Sequence, residues 1–177
     1  KESIDKELQS KVHHKKERIY LNYKFSEEQR NIVSDILGNE YISIVYIEHD
    51  FYLSGSFSVY VKKGTSSDYS EAFAGSGETS IIKLVHALTK CEDRTLILLD
   101  EPETSLHIEA QYRLRNFILN QIQKKKLQVV ISTHSPFFAK NLPECAIKIL
   151  QVEDVSKRVN IINSAPPDES SFYLGYR

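Results

Sequence analysis

Methionine is absent from the 177 residues, and the chain opens Lys1-Glu2-Ser3 without an initiator residue. This reads as a piece cut from a longer protein, or as a chain whose methionines have been dropped. Short motifs therefore carry more weight than long spacings. Cysteine is scarce. Cys91 and Cys145 stand far apart and outside any metal-ligand spacing, which excludes a disulfide scaffold, a secreted mini-protein and a zinc module. The same scarcity suits a reducing, cytoplasmic location. No stretch approaches the ~18 continuous apolar residues of a membrane span, and the polar N-terminus lacks the apolar core of a signal peptide. No membrane partner is expected. Excess charge is missing too: 23 basic residues face 24 acidic ones, for a formal charge of −1, so any basic surface must be local. What remains is ordinary. At 41% apolar and 27% charged the chain is globular, and its length favours one domain.

Residues 1–18 are polar, with a thin apolar row at Ile4, Leu8 and Val12 that spaces as a narrow-striped helix. Its basic end is a solvated face or a nucleic-acid contact. Ser26-Glu27-Glu28-Gln29 fits a capping box, Ile32, Val33, Ile36 and Leu37 form one helical face, and Gly38 can close that helix in the left-handed region. Residues 41–47 and 57–61, rich in β-branched and aromatic side chains, predict a small antiparallel unit. A polar loop at 64–71 follows.

The second half changes character. A helix is expected over 77–90, with Ile81, Leu84, Val85 and Leu88 inward. Residues 95–99 form an unbroken apolar run ending in Asp100, as for a strand buried on both faces. A long helix carrying Leu114, Phe117, Ile118 and Ile122, then a second buried strand at 127–131, make a parallel crossover. Residues 146–152 predict a third strand, 159–163 an edge strand, and Pro166-Pro167 the start of an irregular tail. The fold class is α/β.

Chemistry concentrates in three segments. Asp100-Glu101 lies at the C-terminal tip of a buried parallel strand, where such sheets bind ligands. Asp100 there suits a Mg²⁺–water shell, and Glu101 can polarise a water as general base. The dipeptide alone also occurs as a helix N-terminal charge pair. His134, in Ile131-Ser132-Thr133-His134-Ser135-Pro136, sits at the tip of the next strand; by itself it could equally be a hydrogen-bonded strand-end histidine. Gly75-Ser76-Gly77-Glu78 opens a helix, where small residues admit a phosphate to the positive helix end, though alone it is a turn. His13-His14 and His49-Asp50 read as surface groups, His86 as packing or solvent-facing. The Tyr and Phe clusters read as sheet packing.

In this order the segments "FAGSGETSIIKLVHAL", "TLILLDEPETSLH" and "VVISTHSP", with "AIKIL" after them, resemble the signature motif, Walker B with D-loop, and H-loop of ABC-type ATPase heads. The likeness is greatest to the AAA/ABC-like ATPases of bacterial defence and DNA repair, and the segments look most like the ATPase subunit of Septu-type anti-phage systems, which also serves some retrons. It covers roughly residues 72–152, and more faintly 171–175.

The resemblance implies a partial ABC-ATPase head: a parallel sheet flanked by helices, a small antiparallel subdomain and an N-terminal helical arm segment. Residues 1–24 would end the arm, 25–165 form the C-terminal lobe, and 166–177 make a tail. It implies ATP and Mg²⁺ as cofactors, with Asp100 as the Walker B aspartate, Glu101 the catalytic glutamate and His134 the H-loop switch. Gly75, Ser76, Gly77 and Glu78 would be the signature, meeting the nucleotide of a second copy; Ser105, Leu106 and His107 fall on the D-loop. No G-x-x-x-x-G-K-[ST] occurs and none of the six glycines could start one, so residues 1–177 alone are expected to be inactive. The function implied is ATP hydrolysis at a head–head interface gating an HNH nuclease partner, with DNA or a retron's reverse transcriptase and non-coding RNA as further partners. The rivals are an OLD-type ATPase fused to a Toprim nuclease, an SMC-like DNA-repair or tethering ATPase, and a nucleotide-independent interaction domain.

Overall fold

A computed structural model describes residues 19–49, 56–63, 69–70, 75–152 and 158–166. Its first unit is an antiparallel sheet of order β1-β2-β3-β4, with β1 at Ile19–Lys24, β2 at Tyr41–His49, β3 at Ser56–Lys63 and β4 at Tyr69–Ser70. Helix α1, Glu27–Leu37, crosses from β1 to β2. The capping box forms as read: Ser26 Oγ accepts from the Gln29 amide, and the Gln29 side chain accepts from the Ser26 amide. Gly38 ends the helix at φ 69°, a conformation glycine adopts without cost. Residues 19–24, assigned to the end of the arm in the sequence reading, are instead a strand, because the edge of β2 supplies ladder partners from Val45 to His49. The helix expected over 1–18 lies outside the described residues.

The second unit is a parallel pair. β5, Leu96–Asp100, and β6, Gln128–Ser132, run in register from Leu96 opposite Gln128 to Asp100 opposite Ser132. Helix α2, Ser76–Lys90, precedes β5, and α3, Ile108–Lys125, makes the crossover. Lys126 closes α3 at φ 54°, with Lys124 and Lys125 in the last turn, where the helix dipole favours cations. A short α4, Pro136–Ala139, follows β6.

One apolar core joins both units. Val33 and Ile36 of α1, Ile44 of β2, Val59 and Val61 of β3, Ile81, Ile82 and Leu88 of α2, and Leu114 and Ile118 of α3 are all essentially sealed from solvent. His86 belongs to this packing. Its ring stacks on Tyr46 at 4.2 Å between centroids and meets Tyr23 and Phe25 at 5.0 and 5.8 Å. Burial, aided by Lys90 and opposed by Glu48, holds its imidazole below the ordinary histidine pKa.

Three further expectations need correction. The polar loop read over 64–71 contains β4, because Tyr60 and Val61 of β3 give Ser70 and Tyr69 antiparallel ladder partners. The strands of the parallel pair are not buried on both faces. Ile97, Leu99, Val129 and Ile131 turn toward the core, whereas Leu96, Leu98 and Val130 are exposed, Leu98 by 72%. Among the described residues no element covers that face. The expected third strand does not join this sheet: β7, Lys148–Val152, pairs antiparallel with β8, Val159–Asn163, over a small separate core of Ile147, Ile149 and Ala165. The β8 segment is found where an edge strand was read. Among the described residues no helix is long and apolar enough to cross a membrane.

Candidate functional site

The parallel register carries Asp100 and the β6 terminus to the same end of the sheet, which brings the two motif segments together. Ser132 Oγ donates to Asp100 Oδ1, and the second oxygen of Asp100 takes no hydrogen bond among the described residues. The ladder continues one step past the strand, where the Glu101 amide donates to the Ser132 carbonyl at 3.0 Å. Glu101 then leaves at φ 42°, a left-handed turn that changes the face on which its side chain emerges. Its Oε1 lies 3.2 Å from His134 Nε2, and Thr104 Oγ donates to its Oε2 at 3.3 Å. Asp100, Glu101 and His134 are thus gathered on the tips of β5 and β6, His134 with its side chain 82% exposed.

The turn after Glu101 is built of two overlapping bends, Thr104 N to Glu101 O and Leu106 N to Glu103 O, each at 3.0 Å, with Ser105 at φ 68°. His107 ends it as the N-cap of α3, its Nδ1 accepting from the Ala110 amide at 3.1 Å. The motif position alone does not announce this capping duty. Gly75 caps α2 and Ser76 begins it. Ser76 Oγ meets Ser105 Oγ at 3.2 Å, and a Cβ on Gly77 would come within 2.9 Å of the Ser105 carbonyl oxygen. The start of α2 is therefore seated directly on the turn between Glu101 and α3. Glu78 is drawn to the antiparallel sheet: Lys63 Nζ lies 2.8 Å from its carboxylate, which also accepts from Tyr41 Oη. Between α2 and the strand tip runs an open groove of 310 Å³, lined by Ser76, Ser80, Leu98, Asp100, Glu101 and Ser105 among others.

The sequence pass missed several residues that organise this site. Ser132 holds Asp100, and reading the two strand ends in register would have revealed it. Buried Glu103 and Ser135 and half-buried Thr133 and Gln111 form a hydrogen-bonded set behind His134, pairing residues far apart in the chain. Among the described residues no group of three His, Cys, Asp or Glu side chains is placed to hold a metal alone. A carboxylate with one oxygen in reserve at a strand tip fits a hydrated Mg²⁺ that shares its shell with phosphate.

A family model described as the AAA ATPase domain matches residues 1–139. The chain belongs to this family. No curated protein matches it. Among solved structures, one from work on "ATP-driven dimerization and DNA stimulated activation of SMC ATPases" superposes with a TM-score of 0.58 at 15% identity, covering 85% of this chain and 88% of that one. The Smc head domain with coiled coil and joint from Pyrococcus yayanosii gives 0.61 at 16% identity, over 97% of this chain and 31% of that chain. The Smc head from Pyrococcus furiosus bound to the C-terminal domain of ScpA gives 0.55 at 16%, over 97% and 40%. The AAA chain therefore has the mixed α/β fold of these ATPase heads, and spans well under half the length of the two Pyrococcus chains.

Proposed function

We propose that this AAA chain supplies the metal-holding and water-activating side of an ATP-hydrolysing head that works in pairs. The observation that carries the reading is the 3.2 Å approach of Glu101 Oε1 to His134 Nε2 beside Asp100, on adjacent parallel strand tips. When bound, Mg²⁺–ATP supplies the phosphoryl group and the cation that neutralises its charge. Asp100, with one oxygen held by Ser132, would hold the hydrated cation. Glu101 takes a proton from the attacking water as general base. His134, with Nε2 beside Glu101 Oε1, would orient that carboxylate, and on turning its exposed ring could instead offer the same N–H to the terminal phosphate.

Gly75 and Ser76, with Ser105, Leu106 and His107 beside them, offer the trans-acting surface to a second copy's nucleotide, while buried Gly77, and Glu78 held by Lys63 and Tyr41, support it from behind. The closeness of Ser76 to Ser105 supports treating them as one surface. No phosphate loop of the G-x-x-x-x-G-K-[ST] kind stands in residues 1–177, so on this reading they hydrolyse nothing alone.

The finer reading is a cytoplasmic anti-phage ATPase whose nucleotide state gates an HNH nuclease, with DNA or a retron's reverse transcriptase and RNA as further partners. It rests on the wording of the motifs around Gly75, Asp100 and His134. An HNH gene beside the full-length gene supports it; a fused Toprim domain, or a long heptad arm, points to the OLD-type or SMC-like alternative. In the full-length protein, Glu101→Gln is expected to keep ATP binding while lowering turnover ~10²-fold or more, the worth of a positioned base. Turnover within a few-fold of wild type would remove Glu101 from this role.

A further inference from the structure

We propose that buried Glu103 and half-buried Thr133 form a clamp fixing the backbone on either side of His134, so that both are positioning residues for hydrolysis; this rests on the ATPase reading above. Glu103 is only 6% exposed, and its Oε2 is buried without a hydrogen-bond partner. Burying an acid this incompletely satisfied carries a penalty that an apolar residue would avoid. Its other oxygen, Oε1, accepts from Thr133 Oγ.

Thr133 is held twice, because the same Oγ accepts from the Ser135 amide at 3.0 Å. Ser135 Oγ donates to Gln111 Oε1 at 2.6 Å, and Gln111 Nε2 donates to the Leu106 carbonyl at 2.9 Å. The Leu106 amide returns to the Glu103 carbonyl at 3.0 Å, so the path closes on the turn where it began. One turn further along α3, Arg115 donates to the carbonyls of Phe137, at 3.2 Å, and Lys140. Helix α3 thus grips the segment after His134 at two levels.

The residues before and after His134 are both anchored while its own ring stands in solvent. That is the arrangement expected when one side chain must reach a ligand from an immobile backbone. The clamp has a second end. Ser105, two residues beyond Glu103, is the group on which Ser76 and Gly77 are seated. The same hydrogen-bonded path therefore ties the turn that seats α2 to the backbone of His134.

Two substitutions at one position test this. Thr133→Val keeps the shape and removes both hydrogen bonds; Thr133→Ser keeps both. In the nucleotide-free full-length protein, Thr133→Val is expected to raise amide exchange at Ser135 at least ~10-fold. With ATP it is expected to lower kcat ~10- to 100-fold and leave KM within about threefold, the signature of misplacement rather than lost binding. Thr133→Ser restores both quantities to within about threefold, and in a His134→Ala background Thr133→Val costs less than about twofold more. Unchanged exchange at Ser135, or an equal kcat loss in the His134→Ala background, overturns the clamp. An active wild type in which Thr133→Val is neutral defeats this inference alone. A wild type that hydrolyses no ATP takes the ATPase reading and the inference down together.

Discussion

Gly77→Ala probes the seat of α2 on the turn between Glu101 and α3, and its magnitude follows from one distance. The added Cβ would stand 2.9 Å from the Ser105 carbonyl oxygen and 3.2 Å from Leu106 Cδ2. The nearest atom is backbone, held by the bends that precede α3, so it yields only if the turn moves. Overpacking of this kind costs about 1–3 kcal/mol. Against it, alanine gains about 0.5–1 kcal/mol over glycine inside a helix. The net expectation is a loss of about 1 kcal/mol, which for a chain of this size lowers Tm by about 2–4 °C. Gly75→Ser is the matched control. Nothing lies within 4 Å of a Cβ there, and the backbone at φ −62° and ψ 148° accepts one. A serine at that N-cap adds an oxygen for the first-turn amides, so Tm is expected to hold or rise slightly. Thermal unfolding, with a denaturant series to check that m is unchanged, reads both variants. If Gly77→Ala matches or exceeds the wild-type Tm, the close approach to Ser105 is not made, and the coupling of α2 to that turn fails with it.

Ser26→Ala removes the side-chain half of the capping box on α1, leaving the residue 26 amide still donating to Gln29 Oε1, and is expected to cost about 1 kcal/mol, read as a lowered urea midpoint at constant m. His86 is expected to make stability depend on pH. Because the fold holds its pKa below the unfolded value of 6.5, the unfolded chain takes up the proton first as pH falls, and stability declines from pH 6.5 downward to the folded pKa. Above that window it contributes no pH dependence. His86→Phe preserves a ring against Tyr46 and should flatten the wild-type slope between pH 5 and 7; an identical slope in both proteins sinks the assignment.

Local features were the most readable from sequence. The capping box at Ser26 and Gln29 and the left-handed Gly38 depend on side chains within a turn of one another, so neighbouring residues suffice to specify them. The gathering of Asp100, Glu101 and His134 was readable for a related reason: a strand, a crossover helix and a second strand leave both motif ends on one edge. The bare face of β5 was not. A run of Leu, Ile, Leu, Leu is equally apolar on both sides, and nothing in it says which side meets a neighbour. The pairing of β7 with β8 escaped because a parallel and an antiparallel partner demand the same β-branched residues. His107 was read for its motif position and not as a cap, since histidine is not among the usual capping residues. The set behind His134 joins residues some 30 positions apart, which no local pattern announces.

The backbone around the site also sets how the protein would drift under selection. Glu101 and Ser105 both sit in the left-handed region, at φ 42° and 68°, where residues with a Cβ are penalised and glycine or asparagine is at ease. Replacing either with glycine relieves roughly 1 kcal/mol of strain, without disturbing a core contact. A population screened only for heat tolerance would find those two positions early, and each gain at Glu101 would delete the carboxylate. If Glu101 is the general base proposed above, thermal robustness and turnover compete at that one residue. Lineages retaining glutamate at this left-handed position accept a less stable turn to keep the acid where the two strands end.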